Sequence, residues 1–103
     1  MTADDIRRLA VVADAELQVR DGRAWVVVVR QVDAARASAL AQLVDELAAQ
    51  PSLHRVSADL TCTTPSDRRA ATILGGLRLR AAPSVDVTAP GAVSRLFRPR
   101  HAA

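Results

Sequence analysis

The chain has 103 residues, half of them hydrophobic, and its 14 basic residues are all arginine, giving a formal charge of +3. That length holds one domain with one core, burying roughly two-thirds of the unfolded surface without a metal or disulfide staple. With 21 Ala, 13 Val and 11 Leu against one Phe, one Trp and no Tyr, the core must be small and aliphatic, and no aromatic cluster exists to stack nucleic-acid bases. The charge is uneven. Residues 1–50 carry six arginines against eight acids, and residues 51–103 carry eight against three, so a basic C-terminal half could meet an anion, a nucleic acid or an acidic partner. The lone Cys62 excludes an internal disulfide. No stretch approaches the roughly 20 apolar residues of a membrane span, and the acidic start Met-Thr-Ala-Asp-Asp is unlike a signal peptide. A cytoplasmic domain that does not insert into a membrane is expected.

Ile6, Leu9, Ala10 and Ala13 recur at helical spacing, with Thr2 available as a cap and Asp4 and Asp5 in the first turn, so residues 3–13 are predicted to form a short amphipathic helix. Leu17 and Val19 alternate with Gln18 and Arg20 as a half-buried strand. Asp21-Gly22 then favours a tight hairpin turn. The returning strand, Ala24 to Val29, contains an unbroken valine run, which predicts a central strand covered on both faces. Asp33 is placed to cap a helix from about Ala34 to Ala49, striped by Leu40, Leu43, Val44 and Leu47 and stopped by Pro51. Val56, Ala58 and Leu60 alternate as a third strand, parallel to the one before the helix.

Thr61 to Pro65 are predicted as a loop, and Ser66 as the cap of a helix striped by Ala70, Ile73, Leu74, Leu77 and Ala81. Gly75 and Gly76 fall inside that helix, where each costs about 1 kcal/mol, and suggest that a neighbouring backbone approaches closely. Pro83 closes the helix and Val85 to Ala89 form a fourth strand. Pro90 opens a last short helix with Val93, Leu96 and Phe97, ahead of a solvated tail over residues 98–103. The expected fold is α/β: one domain with a small mixed sheet of about four strands, helices packed on it, and an extra N-terminal helix. Val27 and Leu43 are read as core.

Catalytic constellations are missing. His54 and His101 are far apart, with no Cys/His cluster at metal spacing, and His54 reads as a surface residue. Cys62 reads as a buried or half-buried thiol. No glycine-rich phosphate loop precedes a helix. Neither an enzyme activity, a metal nor a cofactor is expected. Ser66-Asp67-Arg68-Arg69 departs from the usual pattern, because a helix start favours acids and disfavours arginines. Arg68 and Arg69 beside free N–H groups suit an anion; the plainer reading is two solvated arginines, Arg68 pairing with Asp67 or a neighbouring acid.

The order hairpin, helix, strand, helix, strand, helix resembles a STAS domain, the anti-sigma factor antagonist family. Val26-Val27-Val28-Val29-Arg30-Gln31-Val32-Asp33 is similar to the family's strand ending near an Asp before a long helix, and Asp59-Leu60-Thr61 to its D-L-S-type strand end. Ala71-Thr72-Ile73-Leu74-Gly75-Gly76-Leu77-Arg78-Leu79-Arg80 is close to the family's L-G-V-L-x-G-G-L-x-R-x-R helix, which favours keeping both glycines helical. The resemblance covers residues 17–97, and order and spacing carry it more than any single motif. It departs at one place. Asp67 falls on the family's Asp, but the phosphorylatable position is Arg68, followed by Arg69 and Ala70. Phosphate adds about −1.5 to −2 charge and arginine adds +1, so this chain does not mimic a phosphorylated member.

The resemblance implies a protein-binding regulatory or scaffold module of the partner-switching type, without the phospho-switch. Asp33, Thr61, Ser66, Asp67, Arg68 and Arg69 would face the partner. That partner would be a kinase-like anti-sigma factor, a STAS-containing assembly or a second copy. The alternative is an anion- or nucleic-acid-binding domain using Arg68, Arg69, Arg78, Arg80 and the basic tail.

Overall fold

In the computed structural model, which describes residues 3–79 and 85–88, the chain opens with α1 (Ala3–Ala13). Asp4 and Asp5 lie in its first turn, where negative charge complements the helix dipole. Ile6, Ala10 and Ala13 are buried, with Leu9 packed beside them. The helix ends on Asp14 in the left-handed region (φ 58°). There the Asp14 N–H donates to Val11 O at 3.0 Å and the Ala15 N–H to Ala10 O at 2.9 Å, the paired bonds of a Schellman ending. Arg30 holds the Asp14 carboxylate at 3.0 Å.

β1 (Glu16–Arg20) and β2 (Arg23–Val27) form the expected hairpin. Asp21 (φ 53°) and Gly22 (φ 76°) are both left-handed, the combination of a type I′ turn. A Cβ at residue 22 would also lie 2.6 Å from Nδ1 of the exposed His54, so a side chain there would need the imidazole to swing aside. The His54 N–H donates to the Gly22 carbonyl at 2.8 Å, so the turn is tied to the approach of the next long strand.

The main sheet has the order β1-β2-β4-β6, with β4 at Arg55–Asp59 and β6 at Val85–Thr88. β1–β2 is antiparallel, and β2–β4 and β4–β6 are parallel. β2 is therefore central, as its valine run predicts, but only one face is fully covered. Ala24, Val26 and Val28 are buried, whereas Trp25 and Val27 are half-buried. The strand ends at Val27 rather than Val29. Val28 still donates to Asp59 O at 3.2 Å, and Val29 turns out to 56% exposure. β-Branched residues suit any pleated surface, so a run of them does not report two-sided burial.

α2 (Ala34–Ala48) begins at its predicted cap: Asp33 Oδ1 accepts from the Arg36 N–H at 2.8 Å. It buries Ala37, Ala39, Leu40, Ala41, Leu43, Val44 and Leu47, and packs against α1, β4 and α3 (Arg68–Leu79). Ala70, Leu74 and Leu77 of α3 join the same core. Gly75 and Gly76 are helical, but beyond their own helix backbone and chain neighbours no described atom lies within 4 Å of a Cβ built on either. The close backbone approach expected from them is not present among the described residues.

The segment read as a loop contains a further element. β3 (Gln31–Val32) and β5 (Thr64–Pro65) form a parallel two-residue ladder. The predicted cap at Thr2, the helix stripe beyond Leu79, Ala89, the last short helix and the tail lie outside the described residues. No described helix is long and apolar enough to cross a membrane.

Leu43 is fully buried and Val27 is not. Leu43→Ala should therefore destabilise by about 2–4 kcal/mol through the cavity it leaves, and Val27→Ala by about 1 kcal/mol or less. Thermal melts of the two variants check this; equal shifts would contradict the assignment of faces on β2.

Candidate partner-binding site

The site is assembled at the end of the sheet where the parallel strands finish, the usual place for binding loops in open α/β sheets. After β4, Asp59 Oδ1 accepts from both the Thr61 N–H at 3.0 Å and the Thr61 hydroxyl at 2.6 Å. These bonds, the hydroxyl first and the backbone N–H second, hold the Asp59 carboxyl below its ordinary value. Thr63 then turns inward. Its N–H donates to Leu60 O at 3.1 Å and its hydroxyl to Val28 O at 2.7 Å, so this buried polar side chain is satisfied and pins the loop to the end of β2.

From there the chain zips onto the segment before α2. The Thr64 N–H donates to Arg30 O at 3.4 Å, and the Ser66 N–H to Val32 O at 2.9 Å. Ser66 is thereby set beside Asp33, and the starts of α2 and α3 sit together. The cap of α3 is one residue later than predicted. Asp67, not Ser66, closes the helix start: its Oδ1 accepts from the Ala70 N–H at 2.7 Å, and its carbonyl from the Ala71 N–H at 3.1 Å. The Ser66 N–H is committed to Val32 at a bend that follows the ladder, and Asp67 takes the capping position.

Arg68 and Arg69 are the first two helical residues, and both are exposed. Neither guanidinium is ion-paired with a described residue. The anticipated Arg68–Asp67 pair does not form, because the Asp67 carboxylate faces the Ala70 N–H. Asp33, Thr61, Ser66 and Asp67 are exposed on the same loops. Asp33 is thus set beside Ser66 and the start of α3, with Thr61 on the loop that leads there. Of the four predicted anion-binding arginines, Arg68 and Arg69 are neighbours at the start of α3. Arg78 follows Arg68 by ten residues of α3, about 15 Å at the helical rise; its side chain and all of Arg80 lie outside the described residues.

Cys62 is exposed, contrary to its reading as a buried or half-buried thiol. The inward position belongs to Thr63, whose hydroxyl satisfies the Val28 carbonyl better than a thiol, a weak donor, could. Sequence reasoning missed Thr63 because nothing local distinguishes it from Thr61 and Thr64. His54 is exposed, as expected. A separate groove of about 300 Å³ lies between α1 and β1, lined by Ile6, Leu17, Val19, Leu47 and Leu53 among others, and shares no residue with this site. No family model and no curated protein sequence matches the chain.

Because Asp67 is the cap, Asp67→Ala should cost about 1 kcal/mol, while Ser66→Ala should stay within about 0.5 kcal/mol. The reverse order in thermal melts would restore Ser66 as the cap.

The lowered Asp59 pKa sets a sign. The carboxylate's contribution is present above the ordinary value of 3.8 and is lost as pH falls through its lower folded value. The deficit of Asp59→Ala in melting temperature should be full at neutral pH and shrink below about pH 4. A deficit constant down to the acid limit of folding would show that the charge does not hold Thr61.

Proposed function

We propose that the chain is a non-catalytic, STAS-like protein-binding module of the partner-switching kind, whose partner meets Asp33, Thr61, Ser66, Asp67, Arg68 and Arg69. One observation carries the reading: the β3–β5 ladder joins two capped helix starts and leaves the Arg68 and Arg69 guanidiniums exposed beside them, without an ion pair to a described residue. Acids at both caps satisfy the helix ends, so these arginines are not needed to complete either helix. Exposed guanidiniums on a surface held by backbone bonds suit bidentate recognition of carboxylates.

The partner is accordingly a protein presenting an acidic patch. By the resemblance, it is a kinase-like anti-sigma factor or an assembly built with STAS domains. With Arg68 at the family's phosphorylatable position, the module carries a permanent positive charge where relatives alternate between neutral and negative. It is constitutively competent, or tuned to a different partner, and Ser66 is displaced from the switch position.

Arg68→Glu separates function from folding. An acid at the first helical position complements the dipole, so the isolated fold should hold or gain about 0.3 kcal/mol. Partner binding should fall by about 2 kcal/mol or more if the arginine is paired in the complex. The measurements are a pull-down from the native host with mass spectrometry, followed by calorimetry of wild type and variant against the recovered protein. Unchanged binding with lowered stability makes Arg68 a structural residue and removes the site. Steeply salt-dependent binding to a random oligonucleotide, abolished by the same change, would favour nucleic acid instead.

A further inference from the structure

β1 is an outer strand of the main sheet: β2 pairs with one of its sides, and no described strand pairs with the other. The tight turn closes the hairpin between Arg20 and Arg23. Alternation along an antiparallel ladder from that pair turns the backbone N–H and C=O groups of Leu17 and Val19 away from β2. Free edges are ordinarily blunted by lysine, proline, a bulge or a covering element. β1 reads Glu16-Leu17-Gln18-Val19-Arg20, without lysine or proline, and matches β2 residue for residue without a bulge. Apolar surface adjoins it. Val19 is 57% exposed and Val11 of α1 is 79% exposed, and both line a groove with Arg7, Ala10 and Leu17.

The strand is complementary to itself. Set antiparallel against a second copy with Gln18 opposite Gln18, Glu16 of each copy faces Arg20 of the other, and Leu17 faces Val19. Opposite charges and apolar pairs directly across a ladder are the stabilising combinations. The residues brought opposite each other on the apolar side, Leu17 and Val19, are the two whose backbone groups point outward, so each pair can exchange both hydrogen bonds. Arg20 is free to change partner, since its contact with Asp21 is 3.7 Å between side chains more than 80% exposed.

We propose that two copies of this chain join edge to edge through β1, about a two-fold axis at Gln18, into one continuous eight-stranded sheet. Leu17 and Val19 cover one another at the junction, and the α1 helices approach across the groove with Val11 turned toward it. The contact is isologous. It spans one short strand and part of one helix, so it belongs with small, reversible interfaces rather than obligate ones. It does not rest on the proposed partner surface, and it shares no residue with it.

The test is sedimentation velocity on the full chain from about 10 µM to about 1 mM, a range that brackets a weak interface. A monomer–dimer equilibrium is expected, with hydrogen-exchange protection of the Leu17 and Val19 amides rising with concentration. Glu16→Arg and Arg20→Glu, made singly, should each weaken dimerisation about tenfold or more by setting like charges opposite each other. Combined, they should restore it. Val19→Lys replaces an exposed side chain, so the monomer should melt normally while the dimer is lost. A chain that stays monomeric throughout overturns the proposal. So does a dimer that survives Val19→Lys, or a double reversal that fails to restore association. None of these outcomes alters partner capture through Arg68, which is read in a separate experiment.

Discussion

The burial of α2 is the constraint from which the rest of the molecule follows. Seven of its residues, from Ala37 to Leu47, are buried, a wider arc than a helix resting on a sheet alone would cover. The arc is wide because α1 and α3 flank the helix while β4 lies against it. Ala37, Ala39 and Ala41 let neighbouring helices come close, and Leu40, Leu43 and Leu47 supply most of the apolar area, each side chain being worth about 1.5–3 kcal/mol on full burial. The same helix links β2 to β4, so its docking also sets their parallel pairing. A core without aromatic filling is workable because this one helix is enclosed by packing on several sides.

Much of this organisation was legible in the sequence, for identifiable reasons. The stripe of Leu40, Leu43, Val44 and Leu47 has helical period, Asp21-Gly22 accepts positive φ at both positions, and Asp33 stands one residue ahead of a helix. Each is a local signal, and each corresponds to an observed element. Illegible features depended on contacts between distant segments. Val28 and Val29 read as strand, yet the ladder with β4 ends at Asp59 and carries β2 no further than Val27. β3 and β5 are two residues each, too short for any period to announce them. They exist because the chain on either side of α2 returns to the same place.

The candidate site shows the same division. Its residues could be proposed from order and spacing, and Asp33 stands beside Ser66 and the start of α3, with Thr61 on the loop after β4. Their geometry could not be named. Ser66 and Asp67 are both good capping residues, so propensity does not choose between them. The choice goes with the Ser66 N–H bonding across to Val32, which commits residue 66 to the crossing between segments and leaves Asp67 to cap the helix. The inward turn of Thr63 and outward turn of Cys62 are decided likewise by an unpaired carbonyl at Val28, which only a completed sheet presents. Most bonds shaping the site are backbone bonds, so its outline is insensitive to which side chains it displays. Arg68 and Arg69 are therefore displayed on the outline without setting the path of the chain.

The tie between Gly22 and His54 constrains how the hairpin can vary. Residue 22 needs a positive φ, which asparagine also tolerates, but any Cβ there meets the imidazole of His54. Substitution at 22 is thus conditional on what occupies 54. A smaller residue at 54, or an imidazole swung out into solvent, opens the space for asparagine at 22. Two positions more than thirty residues apart are therefore coupled through one side-chain contact.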